Sequence, residues 1–92
     1  MSRCEVTIRN RLGLHARAAA KFVHLASRYR AQIHVSRGGR TVDGKSIMGI
    51  LLLAAAVGTT IEIAAEGVDE QDAVAALCDL VERGFGEEAW NG

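Results

Sequence analysis

Three stretches of this 92-residue chain alternate apolar and polar residues with a period of two, and that alternation limits the fold more than any other feature. Cys4, Val6 and Ile8 interleave with Glu5, Thr7 and Arg9. Ile33 and Val35 interleave with Gln32, His34 and Ser36, and the pattern returns in Thr60-Ile61-Glu62-Ile63-Ala64-Ala65-Glu66. Successive side chains of a strand point to opposite faces, so each stretch reads as a strand with one dry face and one wet face. The first covers about residues 3 to 9, and Gly67 ends the last. Gly38-Gly39 supplies a two-residue hairpin turn from the second strand into a further one at Arg40-Thr41-Val42-Asp43.

Four one-sided strands need a cover, and the segments between them change to a helical period. Ala19, Phe22, Val23 and Ala26 fall at i, i+3, i+4 and i+7, which predicts a helix over about residues 16 to 28. Ser46 has the chemistry of an N-cap for a short helix from Ile47 to about Leu53. Asp69 can cap a last helix whose inner stripe is Ala73, Val74, Leu77 and Val81, bordered by Cys78 and stopped by Gly84 or Gly86. The order βαββαβα predicts an α+β open-faced β-sandwich, a four-stranded antiparallel sheet covered on one face by three helices. Glu5, Thr7, Gln32, His34, Glu62 and Ala64 form its wet face. Residues 1–92 suffice for one domain, and because only 4% of them are aromatic the core must be packed from Ala, Val, Ile and Leu.

Formal net charge is +0, which argues against a general nucleic-acid or membrane-surface binder. The charges are segregated, however. Residues 1–46 hold ten of the eleven Lys and Arg with only Glu5 and Asp43 opposing them, so one end is basic and suits a partner with an acidic surface. Cys4 and Cys78 lack the spacing of a metal or redox motif and the density of a disulfide scaffold, and are expected as two buried reduced thiols. Met1–Glu5 has no apolar signal-peptide stretch. The longest apolar run, Ile50 to Val57, is far below the roughly 20 residues that span a membrane, so a cytoplasmic protein is expected. His24 and His34 have no second ligand at metal spacing, and neither a metal nor any other cofactor is expected.

The candidate chemistry lies in Gly13-Leu14-His15-Ala16-Arg17. Gly13 can take the backbone angles of a turn into a helix, and His15 is then the helix-entry residue. A neutral imidazole, with a reference pKa of about 6.5, keeps a lone pair at neutral pH, and a helix N-terminus with Arg17 beside it disfavours the protonated form. His15 therefore reads as a nucleophile. A phosphoryl group on it would face the N–H groups of Ala16 and Arg17, with the Arg17 guanidinium as a charge-assisted partner. Which ring nitrogen would carry it stays open. Arg17, Lys21, His24 and Arg28, at i, i+4, i+7 and i+11, form a basic helical stripe outside the core face.

Gly13-Leu14-His15-Ala16-Arg17 resembles the active-site signature of the HPr family, histidine-containing phosphocarriers of the bacterial phosphoenolpyruvate-dependent phosphotransferase system. Gly44-Lys45-Ser46-Ile47-Met48-Gly49 resembles the same family's regulatory-serine segment, and length and element order agree. The resemblance implies a carrier, not an enzyme: His15 accepts a phosphoryl group from enzyme I and passes it to an enzyme IIA-type domain of the sugar or the nitrogen-related branch. It also implies Ser46 as a target of an HPr serine kinase/phosphorylase. Exposed Ala20 and Ile47 and Met48 come next to His15, so that with Lys21, His24, Arg28 and Lys45 they form an apolar docking patch rimmed by positive charge. A monomer is expected. Ala18 departs from the family, which usually has proline there; alanine keeps the helix, adds one N–H donor and loses some rigidity.

One other reading uses Gly39-Arg40-Thr41-Val42-Asp43-Gly44-Lys45-Ser46, which matches G-x-x-x-x-G-K-[ST], the phosphate loop of nucleotide hydrolases. Arg-Thr-Val-Asp suits a strand better than a loop, and no later apolar strand ends in an aspartate for magnesium.

Overall fold

The computed structural model describes residues 1–87. Strand β1 (Ser2–Thr7) leads to helix α1 (Ala16–Ala26), then β2 (Gln32–Arg37), β3 (Arg40–Asp43), α2 (Ile47–Leu52), β4 (Thr60–Glu66) and α3 (Glu70–Glu82). A single 3-10 turn over Gly84–Gly86 follows. The strands form one sheet in the order β1-β4-β2-β3 with every pair antiparallel. Because β1 and β2 both run against β4, they run parallel to each other, and α1 supplies the crossover that parallel strands require.

Register carries the alternation into the core. Cys4 faces Ile63, Val6 faces Ile61, Val35 faces Ile63 and Ile33 faces Ala65, all on the face that the helices cover. Phe22, Ile50, Leu53, Leu77 and Phe85 close onto these residues with 2% exposure or less. The wet face is as expected, with Glu5, Gln32 and His34 exposed and Thr7, Glu62 and Ala64 half-buried.

Several expectations are corrected in detail. β1 ends at Thr7, and Ile8 instead bonds the loop before β4, through Ile8 N–H to the Thr59 carbonyl and Gly58 N–H to the Ile8 carbonyl. α1 stops at Ala26, where Arg28 and Tyr29 donate to Leu25 and Ala26 in the tighter i→i+3 pattern. Its buried stripe is Ala18, Ala19, Phe22 and Ala26, with Val23 only half-buried. Asp69 does not cap α3 with its side chain; its two carboxylate oxygens accept the Arg30 and Ala31 N–H groups at 2.9 Å each, tying the end of α1 to the start of α3. The Arg30 bond above all, helped by that from Ala31 against the cost of partial burial, holds the Asp69 carboxyl below the usual range.

Cys4 and Cys78 are not two buried thiols. They are half-buried and lie side by side, because α3 packs across β1 and β4 and brings their Cα atoms to 6.9 Å. The phosphate-loop reading also fails. Residues Arg40–Asp43 are strand β3, laddered to β2 from His34 to Arg37, so their backbone cradles nothing. Among the described residues no helix is long and apolar enough to cross a membrane.

Candidate functional site

The segment from Asn10 to Arg17 is held at both ends. Gly13 has φ +68, and its N–H donates to the Asn10 carbonyl at 3.1 Å, closing a turn. Leu14 is buried, and its N–H donates to the Ala55 carbonyl at 2.9 Å. His15 follows with extended backbone angles (φ −80, ψ 180) as the N-cap of α1, its carbonyl accepting the Ala19 N–H at 2.8 Å. A cap residue offers a side-chain acceptor to the open amides of the first turn, and here that acceptor is the imidazole Nδ1, 3.3 Å from the Arg17 nitrogen. With Nδ1 accepting, hydrogen bonding assigns the ring proton to Nε2.

Nε2 lies 2.6 Å from Glu87 Oε2, and the two side chains are 25% and 18% exposed. The other carboxylate oxygen of Glu87 accepts from the Asn10 side-chain amide at 3.0 Å, and the same amide nitrogen donates to the Gly13 carbonyl at 2.7 Å. One buried asparagine therefore braces both the turn before the histidine and the carboxylate behind it. Partial burial raises the Glu87 pKa, but the bonds from Asn10 and His15 outweigh it, and the carboxyl stays below the usual glutamate range. Glu87 is delivered by the turn after α3, where Phe85 is buried with φ +58 and its carbonyl accepts from Lys21 Nζ at 2.7 Å.

Of the residues named from sequence, Ala16 and Arg17 lie exposed at the helix entrance. Ala20 is half-buried, not exposed, because it borders the stripe that packs inward. Ile47 and Met48 are 43% and 69% exposed on α2, which packs against α1, and Leu52 joins them at 58%. Lys21, His24 and Arg28 line one shallow groove with Leu25, Leu80 and Arg83. Two of the expected docking cations are already engaged: Lys21 on the Phe85 carbonyl, and Lys45 on the Tyr29 carbonyl at 2.7 Å. Ser46 is the N-cap of α2, its Oγ accepting the Gly49 N–H at 3.0 Å. Ala18 sits fully buried within α1.

Asn10, Phe85 and Glu87 went unread in the sequence. Asn10 does carry a signal, since it continues the Cys4, Val6, Ile8 parity and so puts an amide on the dry face. Glu87 carries none, because its place depends on a turn that closes only in three dimensions.

The site is thus one imidazole, 25% exposed, at a helix N-cap on an open-faced α+β sheet, braced from behind by a carboxylate. The family model described as the PTS HPr component phosphorylation site matches residues 2–83, and the chain belongs to that family, the HPr phosphocarriers of the phosphotransferase system. The Phosphocarrier protein HPr of Cupriavidus necator is 51% identical over 83 residues, covering 90% of this chain and 93% of that one. The crystal structure of HPr-C-His from Thermoanaerobacter tengcongensis superposes with a TM-score of 0.92 at 46% identity, over 96% of this chain and 99% of that one. An HPr dimer from the same organism matches with a TM-score of 0.76 at 46% identity, over 95% and 100%.

Proposed function

We propose that the chain is a phosphoryl shuttle in which His15 Nδ1 takes a phosphoryl group from phospho-enzyme I, ultimately from phosphoenolpyruvate, and passes it to an enzyme IIA-type acceptor. One observation carries the reading: Nδ1 is turned to the first-turn amide of α1 at the surface, while Nε2 is engaged from behind. The lone pair on Nδ1 is the nucleophile. Oxygens of the bound phosphoryl group then meet the Ala16 and Arg17 N–H groups and the Arg17 guanidinium, so the negative charge is stabilised by a helix N-terminus without being buried. The N–P bond stays within reach of the next acceptor, as a relay requires.

Ile47, Met48 and Leu52, together with the basic residues His24 and Arg28, are the docking face for acidic partners, and residues 1–92 act as one domain, as a monomer in the cytoplasm. Ser46 is the regulatory site. Phosphate on its Oγ sits at the N-terminus of α2, where it does not disrupt the helix, and acts by repelling a partner that carries negative charge. The test is to incubate the protein with enzyme I and phosphoenolpyruvate and read intact mass. A single acid-labile phosphate that disappears in His15→Ala supports the reading; an unlabelled protein, or a label that survives in His15→Ala, overturns it.

A further inference from the structure

We propose that Glu87 is a positioning residue for the transfer: its side-chain carboxylate holds the proton on Nε2 of His15, keeps Nδ1 unprotonated, and stabilises the positive charge that the ring gains as Nδ1 bonds phosphorus. The inference rests on the reading of His15 as the acceptor and adds a residue and a role to it.

The geometry is a connected chain of hydrogen bonds. Lys21 Nζ holds the Phe85 carbonyl, and the turn this secures places Glu87 Oε2 2.6 Å from Nε2. Glu87 Oε1 is occupied by the Asn10 amide at 3.0 Å, and Asn10 is 1% exposed, so rotating the carboxylate away costs a buried donor one of its two hydrogen bonds. An ionised carboxylate accepts hydrogen bonds and donates none. The ring nitrogen facing it must therefore carry the proton, which leaves the lone pair on the nitrogen that faces the helix.

The step balances without a further reactant. The Nδ1 lone pair forms a bond to phosphorus as the bond from phosphorus to the donor breaks, its electron pair leaving with the donor. The Nε2 proton stays on the ring, which becomes a phosphoimidazolium with its positive charge against Glu87. On unloading, the electrons of the N–P bond return to Nδ1 and the ring becomes neutral. A protonated ring is the better leaving group, so the carboxylate favours both directions, as an orienting carboxylate does behind a catalytic histidine.

Glu87→Gln is the discriminating variant, because an amide cannot present oxygen to both Nε2–H and the Asn10 amide. Three readouts are needed: loading and unloading rates, the long-range nitrogen-15 spectrum of His15 above its titration, and thermal unfolding. Glu82→Gln, on an exposed carboxylate that pairs with Arg9, serves as the control. The expected result is a folded Glu87→Gln protein that loads and unloads more slowly by roughly tenfold or more, with the His15 proton no longer confined to Nε2 and Glu82→Gln unchanged. A native rate or a native tautomer in Glu87→Gln overturns the role of Glu87 while leaving His15 as acceptor intact. A native protein that takes no phosphate overturns both readings and is recognised by that failure before any variant is compared.

Discussion

Gly13 offers a quantitative test of how the turn before His15 is built, because a second glycine serves as its internal control. Both Gly13 and Gly38 have left-handed backbone angles, with φ +68 and +59. Alanine at either position costs about 1 kcal/mol for adopting that conformation. At Gly38 a new Cβ meets nothing within 4 Å, so the conformational cost is the whole effect. At Gly13 the Cβ would lie 2.6 Å from the Ala55 carbonyl oxygen and 3.0 Å from the Ala56 Cα, and backbone atoms cannot swing aside. The same oxygen accepts the Leu14 N–H at 2.9 Å, and displacing it weakens that bond by about 1 kcal/mol. Forced overpacking adds at least 1 kcal/mol more. Gly13→Ala should thus lose about 3 to 4 kcal/mol against about 1 for Gly38→Ala. At 4–8 °C per kcal/mol for a domain of this size, that is a fall in Tm of roughly 12–32 °C against roughly 4–8 °C. Urea denaturation with unchanged slope, backed by thermal circular dichroism, measures both. Equal losses in the two variants would refute the reasoning.

Three further outcomes follow from the same contacts. Ser46→Ala should lose about 1 kcal/mol through the missing cap bond to Gly49, whereas Ser46→Asp should keep its Tm yet load more slowly from enzyme I; equal loading rates would count against a regulatory Ser46. Arg28→Glu should slow loading at low salt with the fold intact, and Lys21→Glu should do so while also lowering Tm, since it breaks the bond to Phe85; loading that ignores both reversals removes the docking reading. The folded pKa of Asp69 lies below its ordinary value of 3.8, so its stabilisation is full above that value and lost as pH falls through the folded one. Asp69→Asn should therefore flatten the dependence of stability on pH below about 4, and an unaltered acid slope would show that the two amide bonds contribute nothing to it.

The sheet was legible in the sequence because a period of two is a local property: Cys4, Val6, Ile33, Val35, Ile61 and Ile63 declare their faces without reference to anything distant. Ser46 as a cap and His15 as the helix-entry residue were legible for the same reason, each lying next to the amides of its own helix. What could not be read depends on closure between distant segments. Asp69 looks like a helix cap, but the amides of Arg30 and Ala31 arrive beside it only when β2 enters the sheet. Lys21 looks like a free surface cation, yet the left-handed turn at Phe85 leaves a carbonyl that needs a donor. The cysteine pair spans 74 positions, and nothing near either residue announces the other. Glu87 belongs to this group too, so half of the bracing around His15 was invisible while His15 itself was plain.

The central claim is that His15 carries the phosphoryl group on Nδ1, the nitrogen turned to the helix. Long-range proton–nitrogen correlation on nitrogen-15-labelled protein, loaded by enzyme I and phosphoenolpyruvate, tests it directly. Phosphorus coupling confined to Nδ1 of His15, with the proton retained on Nε2 and with His24, His34 and Ser46 unmodified, is the predicted result. Phosphorus on Nε2, or on any other residue, would contradict it.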